Sequence, residues 1–134
     1  MMVPDDVDFF CKLFIDTDHD REKVISFVSE SIAGRMEGWC VSNPYCSLYL
    51  VKNDDFHVAK RLQRPDGFLF SRYYLEIEPN EGIEPSLYYS CVSELLTHLW
   101  SSGYPAIAAC DFEEMLPRQG GYNRLSGEEL MKRD

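Results

Sequence analysis

The chain has 134 residues, 45% of them hydrophobic, and a formal net charge of -10 from 13 basic and 23 acidic side chains. That length suits one domain around a single core, and the charge excludes nucleic acid and anionic lipid as partners while favouring a basic protein or cations. No apolar run approaches the roughly 20 residues that span a bilayer, and MMVPDDVD has neither the basic nor the apolar region of a secretory signal.

Phe9 to Ile15 is β-prone and bounded by acidic residues, so it reads as a buried first strand. Val24, Phe27, Val28 and Ile32 follow at helical spacing, and Gly34 supplies the stop. Gly38 to Tyr45, with Asn43-Pro44 inside it, reads as a loop. SLYLVK, Ser47 to Lys52, is the second strand. Asn53 to Asp66 is a long polar connection closed by the turn residues Pro65, Asp66 and Gly67. Phe68 to Glu78 is the third strand. Pro85 opens a second helix carrying Tyr88, Cys91, Val92, Leu95, Leu96, Leu99 and Trp100 on its apolar stripe, with Gly103 as the stop. Ala106 to Phe112 is the fourth strand. The tail from Pro117 holds Gly120-Gly121 and a capping-box pattern at Ser126 to Glu129.

The element order β-α-β-β-α-β is that of a ferredoxin-like α+β sandwich: four strands in one sheet, two helices on one face. One domain spans 1–134, with its core at about 8–116 and a tail at 117–134. A two-layer α/β fold with another strand order is the competing architecture. The second sheet face stays open unless the tail or a partner covers it.

DTDHD, Asp16 to Asp20, has the alternating carboxylates of a calcium loop. Counting from Asp16, however, Arg21 stands where such a loop needs Gly, and Phe27 where it needs a bidentate Glu. The stretch reads as a helix cap, with Thr17 or Asp18 accepting free N–H groups and Asp20 and Glu22 favourable to the dipole. His19, His57 and His98 have no Cys within ligand spacing, so neither metal nor cofactor is expected. Five cysteines (Cys11, Cys40, Cys46, Cys91, Cys110) contain no CxxC pair and read as reduced, mostly buried groups of a cytoplasmic protein. A Cys40–Cys46 bridge across SNPY stays open. Gly120-Gly121 lacks the Lys-Ser/Thr of a phosphate loop and reads as a turn.

If Cys11, Leu13 and Ile15 face the helices, then Phe10, Lys12 and Phe14 face out, together with Arg72, Tyr74, Glu76 and Glu78. Aromatics there would suit base stacking, but carboxylates replace the basic surround that RNA needs. Phe10 and Tyr74 packing beneath the tail is the plainer expectation. The topology also gathers Asp5, Asp6 and Asp8, Glu76, Glu78, Glu81 and Glu84, and Asp111, Glu113 and Glu114 at one end of the sheet. A solvated acidic rim is one reading of that end. Steering of a basic protein partner, with aromatic anchors inside the rim, is the other.

A small acidic α+β chain of this kind resembles the immunity proteins of bacterial contact-dependent growth inhibition and related polymorphic toxin systems, with DFFCKLFIDTD, YYLEIEP and AACDFEEMLP as the nearest blocks. The resemblance implies a non-enzymatic cytoplasmic inhibitor of one cognate toxin domain, often a basic nuclease. Glu76, Glu78, Asp111, Glu113 and Glu114 would then meet toxin Lys and Arg residues, and Tyr74 and Phe112 would be the anchors. A rival from another class is a small enzyme or ligand-binding domain using Asp111, Glu113 and Glu76 as acid–base or cation-holding carboxylates. A third is self-association through the open face, so the expected state is a monomer or a weak homodimer.

Overall fold

The computed structural model describes residues 8–63 and 66–121. Asp5, Asp6, Pro65 and the Ser126–Glu129 pattern lie outside them. The elements run β1 (Cys11–Ile15), α1 (Arg21–Ser31), β2 (Arg35–Glu37), β3 (Cys40–Ser42), β4 (Cys46–Lys52), β5 (Tyr73–Pro79), α2 (Pro85–Ser101) and β6 (Ala106–Cys110). They form an α+β protein with one antiparallel sheet, ordered β2-β3-β4-β5-β1-β6. The sheet has six strands and not the expected four.

The two extra strands are a hairpin in the stretch expected to be a loop. Gly38, at φ 63°, takes the first central position of a two-residue turn, and Glu37 pairs with Cys40. All three residues of β2 are exposed, so no apolar alternation marks the strand in the sequence. Trp39 bends back under the guanidinium of Arg21, 4.0 Å from its ring centre. The third strand is shorter than expected: 66–70 form a 3-10 turn, and β5 starts at Tyr73.

Alternation then fixes the faces. Cys11, Leu13 and Ile15 of β1, Leu48 and Leu50 of β4, and Leu75 and Ile77 of β5 are buried in one cluster with Val24 and Val28 of α1 and Leu95, Leu96 and Leu99 of α2. Both helices therefore cover one side of the sheet. Asp20 accepts from Lys23 N at 2.9 Å ahead of α1, and Pro85 opens α2. The expected caps Thr17 and Asp18 do other work: Thr17 Oγ1 accepts from His19 N, and Asp18 binds arginines. At the end of α1 the left-handed residue is Ala33, at φ 50°, not Gly34. Gly34 is needed for closeness, since a Cβ there would lie 2.4 Å from Val41 Cγ1.

The outer face is partly covered, and by the 53–72 connection. Asn53 Nδ2 donates to the carbonyls of Leu69 and Ser71, folding this segment on itself. Phe68 then stands edge-on to Phe14 at 5.3 Å, leaving Phe14 only 4% exposed. Tyr74 lies against Phe14 and Lys12. Residues 117–121, the described part of the tail, go to the free edge of β6. Arg118, Gln119 and Gly120 all have positive φ, and a Cβ on Gly120 or Gly121 would meet the carbonyl oxygens of Ala108 at 2.8 Å and Ala106 at 2.6 Å. The double glycine is therefore a strap on an edge strand, which would otherwise offer unpaired backbone to other chains.

All five cysteines are free. Cys40, opposite Tyr49, is exposed, whereas Cys46 faces inward with its Sγ 3.4 Å from Cys91 Sγ. The Cys40–Cys46 bridge is thus excluded by the alternation of faces, and the partner of Cys46 is on α2.

Candidate partner-binding surface

The register places the start of β1 beside the ends of its neighbours, because Cys11 pairs with both Ile77 and Cys110. Residues just before β1 and just after β5 and β6 therefore converge. Asp8, Glu78, Glu81, Glu84, Asp111 and Glu114 are all exposed there, and Glu113 is half-buried.

These carboxylates divide into two kinds. Asp111 Oδ2 accepts from Asp8 N at 3.1 Å, and Glu113 Oε2 accepts from Cys110 N at 3.0 Å. Both hold local backbone, so they shape the surface as well as charge it. Glu78 and Glu114 are exposed without such a bond and are the freest to meet an incoming cation. Glu76 stands one rung inward, half-buried on the outer face between Lys12 and Tyr49. It is not gathered with Asp111 and Glu113, so the three carboxylates of the enzyme reading do not form one cluster. The ion pairs among the described residues all lie at the other end of the sheet.

Neither expected anchor is exposed at the acidic end: Tyr74 pairs with Phe14, toward the other end of the sheet, and Phe112 is buried. Tyr74 is half-buried on the outer face with the Lys12 ammonium 4.2 Å from its ring centre. Its phenol is pushed up, first by burial and then by Glu76, Asp54 and Asp55. Phe112 is only 4% exposed; it stacks on Tyr89 at 4.8 Å and lies 5.4 Å from Tyr88. Its ring is committed to the core because the chain turns inward directly after β6, so it is not an exposed anchor. The exposed apolar side chains near this end are Tyr45, Leu87 and Met115. Tyr45 directly follows Pro44, and Leu87 lies in the first turn of α2 just after Pro85, so both sit at element boundaries where periodicity says nothing about facing.

The opposite end closes on itself. Asp18 accepts from Arg61 through both carboxylate oxygens, at 2.8 and 3.0 Å, and from Arg72 at 3.0 Å. Those bonds hold its carboxyl far below the usual range, Arg61 contributing first. Phe56 lies under both guanidiniums, 4.2 Å from Arg72 and 5.3 Å from Arg61. DTDHD is therefore part of a clasp that pins the 53–72 connection to the β1–α1 turn. No group of three or more His, Cys, Asp or Glu residues among those described is arranged to hold a metal ion. No helix among them is long and apolar enough to cross a membrane.

No protein-family model matches the chain, and neither does any curated protein or solved structure.

Proposed function

We propose that this chain is a protein-binding module of the toxin-immunity kind, which engages a basic protein partner through the acidic end of its sheet. One observation carries the reading. The carboxylates at the β1 start and the β5 and β6 ends make no ion pair among the described residues, while Asp16 and Asp18 at the other end do. Unpaired charge on a firm frame raises the encounter rate with an opposite charge without having to break internal pairs first. Tyr45, Leu87 and Met115 offer short-range contact once the partner arrives. The bonds from Asp111 and Glu113 to backbone N–H groups favour a structural over an acid–base role for these two.

The resemblance to immunity proteins supplies the kind of partner: a cationic toxin domain, nuclease-like in charge, inhibited in the cytoplasm. The fold fits such a role. We read it as a ferredoxin-like core, β4-β5-β1-β6 with α1 and α2, to which the β2–β3 hairpin is added at the β4 edge. The order and antiparallel pairing of those four strands support that reading.

The test is capture from the native host with the tagged chain and with a Glu78→Lys/Glu114→Lys variant, followed by reconstitution of the purified partner. A stoichiometric basic protein retained by the first and lost by the second, whose toxicity the first relieves, is the expected result. A partner held equally by both chains would remove the acidic end from the mechanism.

A further inference from the structure

Cys46 and Cys91 are 45 residues apart in the chain, yet their Sγ atoms lie 3.4 Å apart in the core. The strand pattern CSLYLVK turns Cys46, Leu48 and Leu50 to the helical side, and Cys91 lies on the buried stripe of α2 beside Val92. A disulfide has a sulfur–sulfur distance of about 2.05 Å, so the remaining gap is shorter than one C–C bond. Register and helix phase have already met the larger requirement of bringing the two segments together.

Asn43 organises the pair from the β3–β4 turn. Its Oδ1 accepts from Cys46 N at 2.9 Å and from Tyr45 N at 2.8 Å, while its Nδ2 donates to Ile32 O at 3.0 Å and to Cys91 Sγ at 3.4 Å. One amide thus holds the Cys46 backbone and points a donor at the Cys91 sulfur. Because Asn43 already donates to the Cys91 sulfur, and the Cys46 S–H can supply a second donor across the 3.4 Å contact, Cys91 is the better placed of the two to carry negative charge. Its thiol is lowered by the Cys46 hydrogen bond first and by Asn43 after it, against burial and Glu94, while Cys46 is held protonated. Cys91 is also the less buried, at 7% against 1%. Pro44 and Tyr45 in the same turn are exposed, so the pair lies directly beneath the surface at this turn.

We propose that Cys46 and Cys91 are a site of reversible oxidation that takes a low-molecular-weight disulfide, of the oxidised-glutathione class, as its co-reactant. The Cys91 thiolate attacks one sulfur of the disulfide, whose S–S bond breaks, and the first leaving thiolate takes up the proton that Cys91 gave away. Cys46 then attacks Cys91 Sγ in the mixed disulfide, breaking that bond. The second small thiol leaves with the proton from Cys46. Two protein thiols are oxidised by two electrons, one small disulfide is reduced to two thiols, and β4 becomes tied to the second turn of α2.

The experiment uses the full chain with Cys40→Ser, which removes the exposed thiol as a competitor. Folded protein is held in buffers of graded oxidised-to-reduced glutathione ratio, quenched in acid, alkylated and read by intact and tandem mass spectrometry. The expected result is loss of two alkylatable thiols, with Cys46 and Cys91 in the linked peptides, reversed by excess reduced glutathione. Adding Cys46→Ser should stop the reaction at one glutathione on Cys91. If that variant does not fold, the linkage map of the Cys40→Ser chain still decides the matter. Four thiols that all remain alkylatable, a link between Cys11 and Cys110 in place of this one, or a Cys46–Cys91 link formed only in denaturant would each overturn the proposal.

Discussion

Where β1 ends, Asp16 and Asp18 meet Arg61, and Asp18 also meets Arg72; where β1 begins, Asp8, Glu78, Asp111, Glu113 and Glu114 form no ion pair among the described residues. Both ends are rich in the same residue types. At the first, charge is consumed in joining a long connection to a turn. At the second, it stays available, and some of it even stiffens its own platform through bonds to Asp8 N and Cys110 N. Acidic residues in a chain of net charge -10 are therefore not one population. What separates them is whether the fold brings a guanidinium into reach.

The largest effect that tests this contrast is kinetic. With a purified basic partner, Glu78→Lys/Glu114→Lys should slow association about 10- to 100-fold at low ionic strength, and added salt should shrink the gap. The same variant should unfold within about 0.5 kcal/mol of the parent chain, because neither side chain has an internal bond to lose. Stopped-flow mixing and urea titration measure the two halves. Substitution of Asp18 should give the reverse pattern, with a lower unfolding midpoint and an unchanged association rate. If both ends responded alike in both measurements, the contrast would be gone.

A middle-sized effect concerns the strap that closes the sheet. Gly121→Ala should cost about 1–3 kcal/mol, since a new Cβ would lie 2.6 Å from the carbonyl oxygen of Ala106, at a φ of 112°. Gly38→Ala supplies the control. It also has positive φ, but a Cβ there meets nothing within 4 Å, so only the backbone strain of about 1 kcal/mol applies. Urea midpoints with unchanged slopes should rank Gly121→Ala as the more damaging. Equal losses would mean that 117–121 does not press on β6.

The contrast between the ends also explains what the sequence could reveal. Periodicity placed β1, α1, β4 and α2, because each has a buried face to mark it. It could not place β2, whose three residues are all exposed, nor separate 66–70 from β5, because Phe68 and Phe70 alternate as strand residues do while folding as a turn. The convergence of the acidic residues followed from element order alone, since antiparallel neighbours put starts beside ends. The clasp did not follow. Asp18 and Arg61 are 43 residues apart, and their meeting depends on how the 53–72 connection folds. Phe112 was misplaced for a related reason: hydrophobicity shows that a ring needs partners and leaves open whether they are its own or another chain's. The Cys46–Cys91 contact needed both the strand facing and the helix phase, each legible separately but only jointly informative.

The smallest effect is the most diagnostic of the clasp. Bonds from Arg61 and Arg72 hold the Asp18 carboxyl far below its ordinary value. A carboxyl depressed in the folded state stabilises that state fully above its unfolded value of about 3.9, and the contribution is lost as pH falls through the folded value. The difference in urea midpoint between the parent chain and Asp18→Asn should therefore be constant above about pH 5 and shrink progressively below about pH 4. Because Asp18 is exposed, solvent screening keeps the difference small, and it should fall further in high salt. Asp20→Asn separates this from helix capping, since Asn caps almost as well as Asp and should leave the pH profile nearly unchanged. Fluorescence of Trp39 and Trp100 can follow both unfolding curves. A gap between parent and Asp18→Asn that persists unchanged to about pH 2 would mean that Asp18 acts by shape and not by charge, and the two ends of the sheet would then differ in packing alone.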